Sequence, residues 1–285
     1  MAEITQYVRA ETTAEALNAL ENAVGPVRIL AGGTDLLLKK RREAHEFLTV
    51  VDISAVSEMD GIQVTSEGIR IGAATRLMDI QKSEILSGVY HVLATGAQLI
   101  GSLQIRNLAT LGGNICNAAP SADTAAPLLV LDAVAEIISL AGLRSVPLRE
   151  FFSGPGKTAL KPGEILQSIL IPSPPEGAHS AYYKQSARKA MDLAVVGAAV
   201  LAAPGKNQRD VRIALAAVAP TPIRLSGVEE HLKNAAAVDD ALLVEAAEMA
   251  AGEARPISDV RGSAEYRREM VYQLVLRALR EALSV

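Results

Sequence analysis

Tryptophan is missing from the 285 residues, Phe, Trp and Tyr together make up 3 %, and there is one cysteine, Cys116. One thiol closes no internal disulfide and supplies no thiolate set for zinc or for an iron–sulfur cluster. So few aromatics disfavour a stacking platform for bases or sugars. The four histidines, His45, His91, His179 and His231, are scattered without metal-ligand spacing. No apolar run reaches the about 18 residues of a membrane span. The first residues, Met-Ala-Glu-Ile, have neither the basic nor the apolar region of a secretion signal. No charge dominates: 28 Lys and Arg stand against 32 Asp and Glu, a net −4, which leaves no electrostatic footprint for nucleic acid or an anionic membrane. These absences point to a soluble, cytoplasmic protein of a reducing compartment.

What is present is apolar bulk, 49 % of the residues, enough for one large domain or two ordinary ones. The chain is organised around residues 101–127, most of which follow neither a helical nor a strand period. That stretch holds Gly112-Gly113, Asn and Gln side chains, Arg106 and Asp123, and few large apolar residues. A long polar run costs backbone entropy without core burial, so it is either a structural Ω-loop or a segment wrapped around a ligand. Glycine admits close backbone approach and offers bare amides to an anion. Asn114, Asn117, Ser121 and Thr124 can bond hydroxyls and amides, and an ionised Asp123 accepts from ribose or ribityl hydroxyls.

Upstream, residues 4–8 read as a strand. Thr12 to Glu15 form a capping box for a helix that carries Ala16, Leu17, Leu20 and Val24, with Gly25 as its C-cap. Val27–Leu30 reads as a buried strand entering Ala31-Gly-Gly-Thr-Asp35, and Leu36 opens a helix capped by Thr34 or Asp35. A strand, a glycine turn and a helix N-terminus suit a phosphate; a tight turn without ligand is the alternative, and the GxGxxG dinucleotide fingerprint is absent. A strand follows at 48–52. Residues 62–64 and 69–71 flank a hairpin turn at Ser66–Gly68. Thr75 is expected to cap a helix to about residue 82, and another helix covers 89–100. A helix near 123–131 and strands at 134–139, 144–147 and 164–171 complete the first half. Phe151 to Thr158 imitates a P-loop, yet Phe stands where GxxxxGK[ST] needs its first Gly. Pro172–Gly177 reads as a linker, placing a domain boundary at 172/173. Beyond it, 180–186, 193–202 and 211–219 read as three antiparallel strands, with a hairpin turn at 204–207. Residues 227–234, 239–253 and 263–283 read as helices.

Four segments together carry a resemblance: Arg28 to Leu36 (RILAGGTDL), Gln104 to Ile115 (QIRNLATLGGNI), Ser121 to Leu128 (SADTAAPL) and Tyr183 to Ala194 (YKQSARKAMDLA). In this order they resemble the FAD-binding (medium) subunits of molybdenum hydroxylases, the family of xanthine dehydrogenase and aerobic carbon monoxide dehydrogenase, and the similarity runs through the whole chain. The resemblance implies an α+β fold. A two-part FAD-binding domain of the vanillyl-alcohol oxidase (PCMH) type, residues 1–172, precedes a small domain, 173–285, with a three-stranded antiparallel sheet and a helical bundle. It implies FAD in this chain, and as partners a small subunit with [2Fe–2S] clusters and a large subunit with molybdenum cofactor. Electrons would pass from the clusters to FAD and on to an external acceptor such as NAD.

Carried onto matching positions, Leu30, Ala31, Gly32, Gly33, Thr34, Asp35 and Leu36 would hold the pyrophosphate. Thr110, Gly112, Gly113 and Asn114 would form a second phosphate and ribityl cradle, and Asp123 would bond the flavin-chain hydroxyls. Ile100 and Leu166 would lie near the flavin ring or adenine. Lys184 would sit near the pyrimidine end of the ring, where a cation stabilises reduced flavin and raises its potential. Arg188 and Asp192 are expected to pair structurally, and Arg106 either fixes the loop or approaches the phosphates. Cys116 is expected to be a packing residue. With it as the sole cysteine the chain has no room for the extra [4Fe–4S] cluster of the 4-hydroxybenzoyl-CoA reductases, which argues against that reductive branch. A stand-alone flavin oxidoreductase would need a larger C-terminal domain, and a flavin-free assembly module would have no use for both Gly-Gly cradles.

Overall fold

The computed structural model describes residues 4–42, 49–204, 209–235 and 237–283. The turn expected at 204–207 and the first residue of the strand expected at 48–52 fall in part outside them.

Chain entry builds a small parallel sheet in the order β1-β3-β2, from β1 (Gln6–Arg9), β2 (Val27–Leu30) and β3 (Thr49–Asp52). Helix α1 (Thr13–Glu21) links β1 to β2, and α2 (Leu36–Arg42) follows β2. At the start of α1 the Thr12 hydroxyl accepts from the Glu15 amide at 3.2 Å. Glu15 reaches back to the Glu11 amide, 2.8 Å, one residue outside the expected box. The helix stops at Asn22 rather than Gly25; Gly25, at φ +75°, turns the chain into β2.

The second part is a five-stranded antiparallel sheet in the order β4-β5-β10-β6-β7. Its strands are β4 (Ile62–Thr65), β5 (Gly68–Gly72), β6 (Val134–Ser139), β7 (Gly142–Pro147) and, after the small hairpin β8 (Phe152–Gly154) with β9 (Lys157–Thr158), β10 (Ile165–Pro172). Period-2 alternation sends Ile69, Ile71, Ala135, Ile137, Ile169 and Ile171 into one core. Against them pack α3 (Leu77–Lys82), α4 (His91–Gln98), α7 (Ala125–Val130) and α8 (Leu148–Phe151), with the short α5 (Leu103–Arg106) and α6 (Leu111–Cys116) between α4 and α7. Residues 101–127, expected to be largely irregular, thus contain the short helices α5 and α6, and α7 begins near the expected 123. Thr75 does not cap α3: Arg76 precedes the helix, and the Thr75 hydroxyl bonds both the amide and the carbonyl of Gly61. The imitation P-loop folds into the end of α8 and the β8–β9 hairpin.

The last part is an antiparallel sheet of β11 (His179–Gln185), β12 (Val196–Ala203), β13 (Asp210–Ala216) and β14 (Ile223–Arg224). Three helices follow: α9 (Ser226–Asn234), α10 (Asp240–Glu253) and α11 (Ala264–Leu283). The sheet has four strands where three were expected, because β14 is two residues long and offers no alternation to read. Every residue of β12 is buried. Ala199 and Leu201 join the core of α4 and α7, while Ala198 and Val200 join that of α10 and α11. A strand roofed by helices on both faces needs small side chains, hence the Ala-rich run. No helix among the described residues is long and apolar enough to cross a membrane.

Arg144 on β7 pins the segment that returns to β10: it forks onto Glu164 at 2.7 and 2.6 Å and bonds the Ala159 carbonyl at 2.8 Å. Hydrogen bonding from Arg144 holds the Glu164 carboxyl down to about 2 from an ordinary 4.5. A depressed carboxyl contributes stability that is present above its ordinary value and lost as pH falls toward the folded value. Glu164→Gln is therefore expected to be less stable at neutral pH and to lose less stability between about pH 4.5 and 2. Denaturant midpoints across that window check this, and parallel curves for the two proteins would refute it.

Candidate functional site

A cavity of about 690 Å³ opens where the three parts meet, within the size range of ligand sites. Its first wall is the turn from β2 to α2, with Ala31, Gly32, Gly33, Thr34, Asp35 and Leu36 all lining it. Gly32 lies so close to the neighbouring wall that a Cβ there would be 2.0 Å from the Leu108 carbonyl oxygen. Gly33 takes φ +72° to turn the chain. Among the described residues, the amides of Gly32 through Leu36 have no hydrogen-bond partner. Such a row of free donors needs an acceptor, whether water or a ligand. Leu30 does not line the cavity; its carbonyl accepts from Ile53 and its side chain backs Gly33.

The second wall carries Thr110, Gly112, Gly113 and Asn114, and here the expectation of bare amides fails. Residues 109–112 run beside 73–77, so the Leu111 amide bonds Thr75 O and the Gly112 amide bonds Ala73 O. The Gly113 amide goes to the Thr110 hydroxyl at 3.1 Å and that of Asn114 to the Thr110 carbonyl. Glycine at 112 serves packing: a Cβ would stand 2.6 Å from that of Ala73. Glycine at 113 serves space, since a Cβ would meet only its own capping hydroxyl, at 3.0 Å. The Asn114 carboxamide oxygen accepts from Thr124 at 2.6 Å.

Ile100, Leu166, Ile29, Ile53 and Leu193 give the cavity apolar surface. Asp123 also lines it, although it is 5 % exposed. Its two oxygens are held by one strand: Oδ1 accepts from the Tyr182 hydroxyl at 2.8 Å, Oδ2 from Lys184 Nζ at 2.6 Å. Burial raises the Asp123 carboxyl, and Lys184 and Tyr182 oppose that rise. Lys184 is not in the cavity wall. Its ammonium, 5 % exposed, spends its three protons on Asp123, the Leu99 carbonyl (3.1 Å) and the Asp192 carbonyl (2.9 Å).

Arg106 fixes the loop: Nε donates to Gln81 at 2.9 Å and Nη1 to the carbonyls of Ile100 and Gly101. Arg188 and Asp192 pair as expected, the Arg188 amide reaching Asp192 Oδ2 at 2.9 Å. Cys116 packs at the cavity edge, and burial pushes its thiol up to about 12, far from a thiolate nucleophile. Asn117 and Ser121, expected to bond hydroxyls and amides, line the cavity, and the expectations above give no ligand contact to four further wall residues, Arg28, Lys39, Asp192 and Leu193. Lys39 reaches across to Asn117 Oδ1 at 2.6 Å. Arg28, Asp192 and Leu193 stand inside the quoted motifs but carry no glycine or ligand signal of their own. Nothing in the local sequence marks Lys39.

Comparison with known proteins agrees with this geometry. The family described as the FAD binding domain in molybdopterin dehydrogenase matches residues 3–174, and the CO dehydrogenase flavoprotein C-terminal domain matches 181–282. The chain is 37 % identical to a putative xanthine dehydrogenase FAD-binding subunit of Escherichia coli, over 100 % of this chain and 98 % of that one. It is 34 % identical to the carbon monoxide dehydrogenase medium chain of Hydrogenophaga pseudoflava, over 97 % and 96 %. A solved chain of the carbon monoxide dehydrogenase from Hydrogenophaga pseudoflava, in a form lacking the Mo-pyranopterin moiety, superposes with a TM-score of 0.93 at 30 % identity, covering 100 % of this chain and 99 % of that one. Family, fold and a glycine-walled cavity coincide: the chain belongs to the FAD-binding subunits of the molybdenum hydroxylase-type dehydrogenases, oxidoreductases that carry FAD.

Proposed function

We propose that this chain is the electron-transfer subunit of a molybdenum hydroxylase, cytoplasmic, dividing at 172/173 into flavin and C-terminal domains. Its FAD would take electrons from the [2Fe–2S] clusters of a small subunit, reduced in turn by a large molybdenum-cofactor subunit that selects the substrate. An external acceptor such as NAD would remove them. The observation that carries the reading is the row of amides from Gly32 to Leu36, unpartnered among the described residues, in the wall of a cavity to which Ile29, Ile53, Ile100, Leu166 and Leu193 give an apolar surface. Unpaired N–H groups are matched to phosphate oxygens, and the apolar wall to a flat ring.

Bound FAD would supply the one- and two-electron chemistry of its ring. The residues' share is to hold it. The Gly32–Leu36 amides would take the pyrophosphate. Thr110, Gly112, Gly113 and Asn114 would shape the opposite wall by close packing rather than by free amides. Asp123 would accept from chain hydroxyls through the lone pairs that Tyr182 and Lys184 leave open, and Ile100 and Leu166 would exclude water. Lys184 would act on the site from behind Asp123. No general acid or base is required, which fits the lack of clustered histidines or paired carboxylates.

Gly113→Val is expected to abolish FAD retention while the ligand-free melting temperature falls little, because Gly113 lines the cavity and a Cβ there meets only the Thr110 hydroxyl. Undiminished flavin content would remove this wall from the site. With NAD as acceptor, anaerobic NADH is expected to bleach the flavin band of the FAD-loaded chain. Bleaching by dithionite but not by NADH would point to a different acceptor.

A further inference from the structure

Strand β11 belongs to the C-terminal sheet, the second of the two large antiparallel sheets, yet one of its faces is turned on the first half of the chain. Alternate residues make a polar ladder. Ser180 donates to the Val89 carbonyl at 2.7 Å, Tyr182 to Asp123 at 2.8 Å, and Lys184 to Asp123, Leu99 O and Asp192 O. The other face turns to α11, with Tyr183 beneath Arg277 and Gln185 bonded to Tyr266. The middle rung, Tyr182, is 6 % exposed and does not line the cavity.

Two glycines at positions of low propensity surround this rung. Gly96 lies inside α4, where a Cβ would be 2.5 Å from the Asp123 carbonyl oxygen. Gly197 lies inside β12, opposite Lys184, where a Cβ would be 2.7 Å from the Tyr182 hydroxyl. Glycine inside a helix or strand costs stability and usually marks close approach. Here one glycine seats the backbone of Asp123 and the other makes room for the phenol that holds its side chain.

We propose that Tyr182 is a positioning residue for the flavin site: it fixes the Asp123 carboxylate from behind, so that the second sheet sets how the first half presents its acceptor to the hydroxyls of FAD. The inference rests on the FAD reading above. With Tyr182 on Oδ1 and Lys184 on Oδ2, the carboxylate cannot rotate without losing a bond, and each oxygen keeps a lone pair for the cavity. The groups facing Asp123 are few. β11 brings Tyr182 and Lys184 to the carboxylate, the Leu99 carbonyl after α4 accepts from that lysine, and Gly96 of α4 seats the Asp123 backbone. The 192–193 segment brings the Asp192 carbonyl, while the Asp192 carboxylate is turned to the amides of Arg188 and Leu193. Protonating Asp123 would turn an acceptor into a donor and leave Lys184 without its counter-charge, so FAD affinity should fall on the acid side. Burial raises this carboxyl and the Tyr182 hydroxyl opposes the rise. Deleting the hydroxyl therefore moves that acid limb to higher pH.

The experiment is FAD titration of the full, flavin-stripped chain across a pH series, read by the visible spectrum of bound flavin, for wild type and Tyr182→Phe. Loss of a hydrogen bond to a charged group predicts a dissociation constant raised about tenfold at neutral pH. It also predicts an acid limb displaced upward in pH; the ligand-free melting temperature falls with the loss of the buried bond, which is the only change expected of a packing residue. In the Asp123→Asn background the second substitution should add nothing. Should Tyr182→Phe fail to fold, Gly197→Ala, which keeps the hydroxyl but displaces it, is read in its place with the same expectation. An unchanged dissociation constant and acid limb, or an equal effect in the Asp123→Asn background, would make Tyr182 a packing residue only. If wild type binds no FAD, the flavin reading falls and this inference with it; if wild type binds and the variant is indifferent, only the inference falls.

Discussion

Two missing Cβ atoms hold the site together. Gly32 lets the turn after β2 rest on the Leu108 carbonyl, and Gly112 lets α6 rest on Ala73 at the end of β5. Both are backbone-to-backbone or backbone-to-methyl approaches that a side chain would force apart by an ångström or more. The parallel sheet, the antiparallel sheet and the segment between α4 and α7 converge on these contacts. The glycines' shared effect is to bring one wall with free amides within reach of another whose amides are spent.

That division of labour is asymmetric. The Gly32–Leu36 wall keeps its donors because β2 pairs with β3 only as far as Leu30 and α2 starts at Leu36. The Gly112–Gly113 wall loses its donors because residues 109–112 line up beside 73–77 and α6 is capped by Thr110. Two glycine pairs that look alike in sequence thus differ in the structure: one leaves its amides free in the cavity wall, and the other spends them on packing. The second sheet closes the site with a buried ion pair, Asp123–Lys184, whose partners come from different halves of the chain. Removing one member of such a pair costs about 3–5 kcal/mol, because the other is left as an uncompensated buried charge, so each half depends on the other at the cavity.

Much of this was legible in the residues. Alternation and turn chemistry placed the β4–β5 hairpin, β10 and the three long strands of the second sheet, and apolar periodicity placed α1, α10 and α11. The four motifs carried the family, and with it the walls of the cavity. What stayed hidden has physical causes. β14 is too short to alternate. The helices α5 and α6 have four and six residues, and tertiary hydrogen bonds rather than propensity hold them. The fate of the Gly112 amide depends on Ala73, some forty residues away in sequence. Tyr182 reads locally as one more aromatic in a strand, and only the fold brings its hydroxyl to Asp123. Lys39 opposite Asn117 is the same kind of long-range meeting.

The central claim is that this cavity holds FAD, and the most direct test is the visible absorption spectrum of the purified chain, followed by heat release and chromatography of the chromophore. The account predicts flavin bands without iron absorption, with FAD as the released species. A colourless chain whose addition to FAD leaves the flavin spectrum unchanged would contradict it.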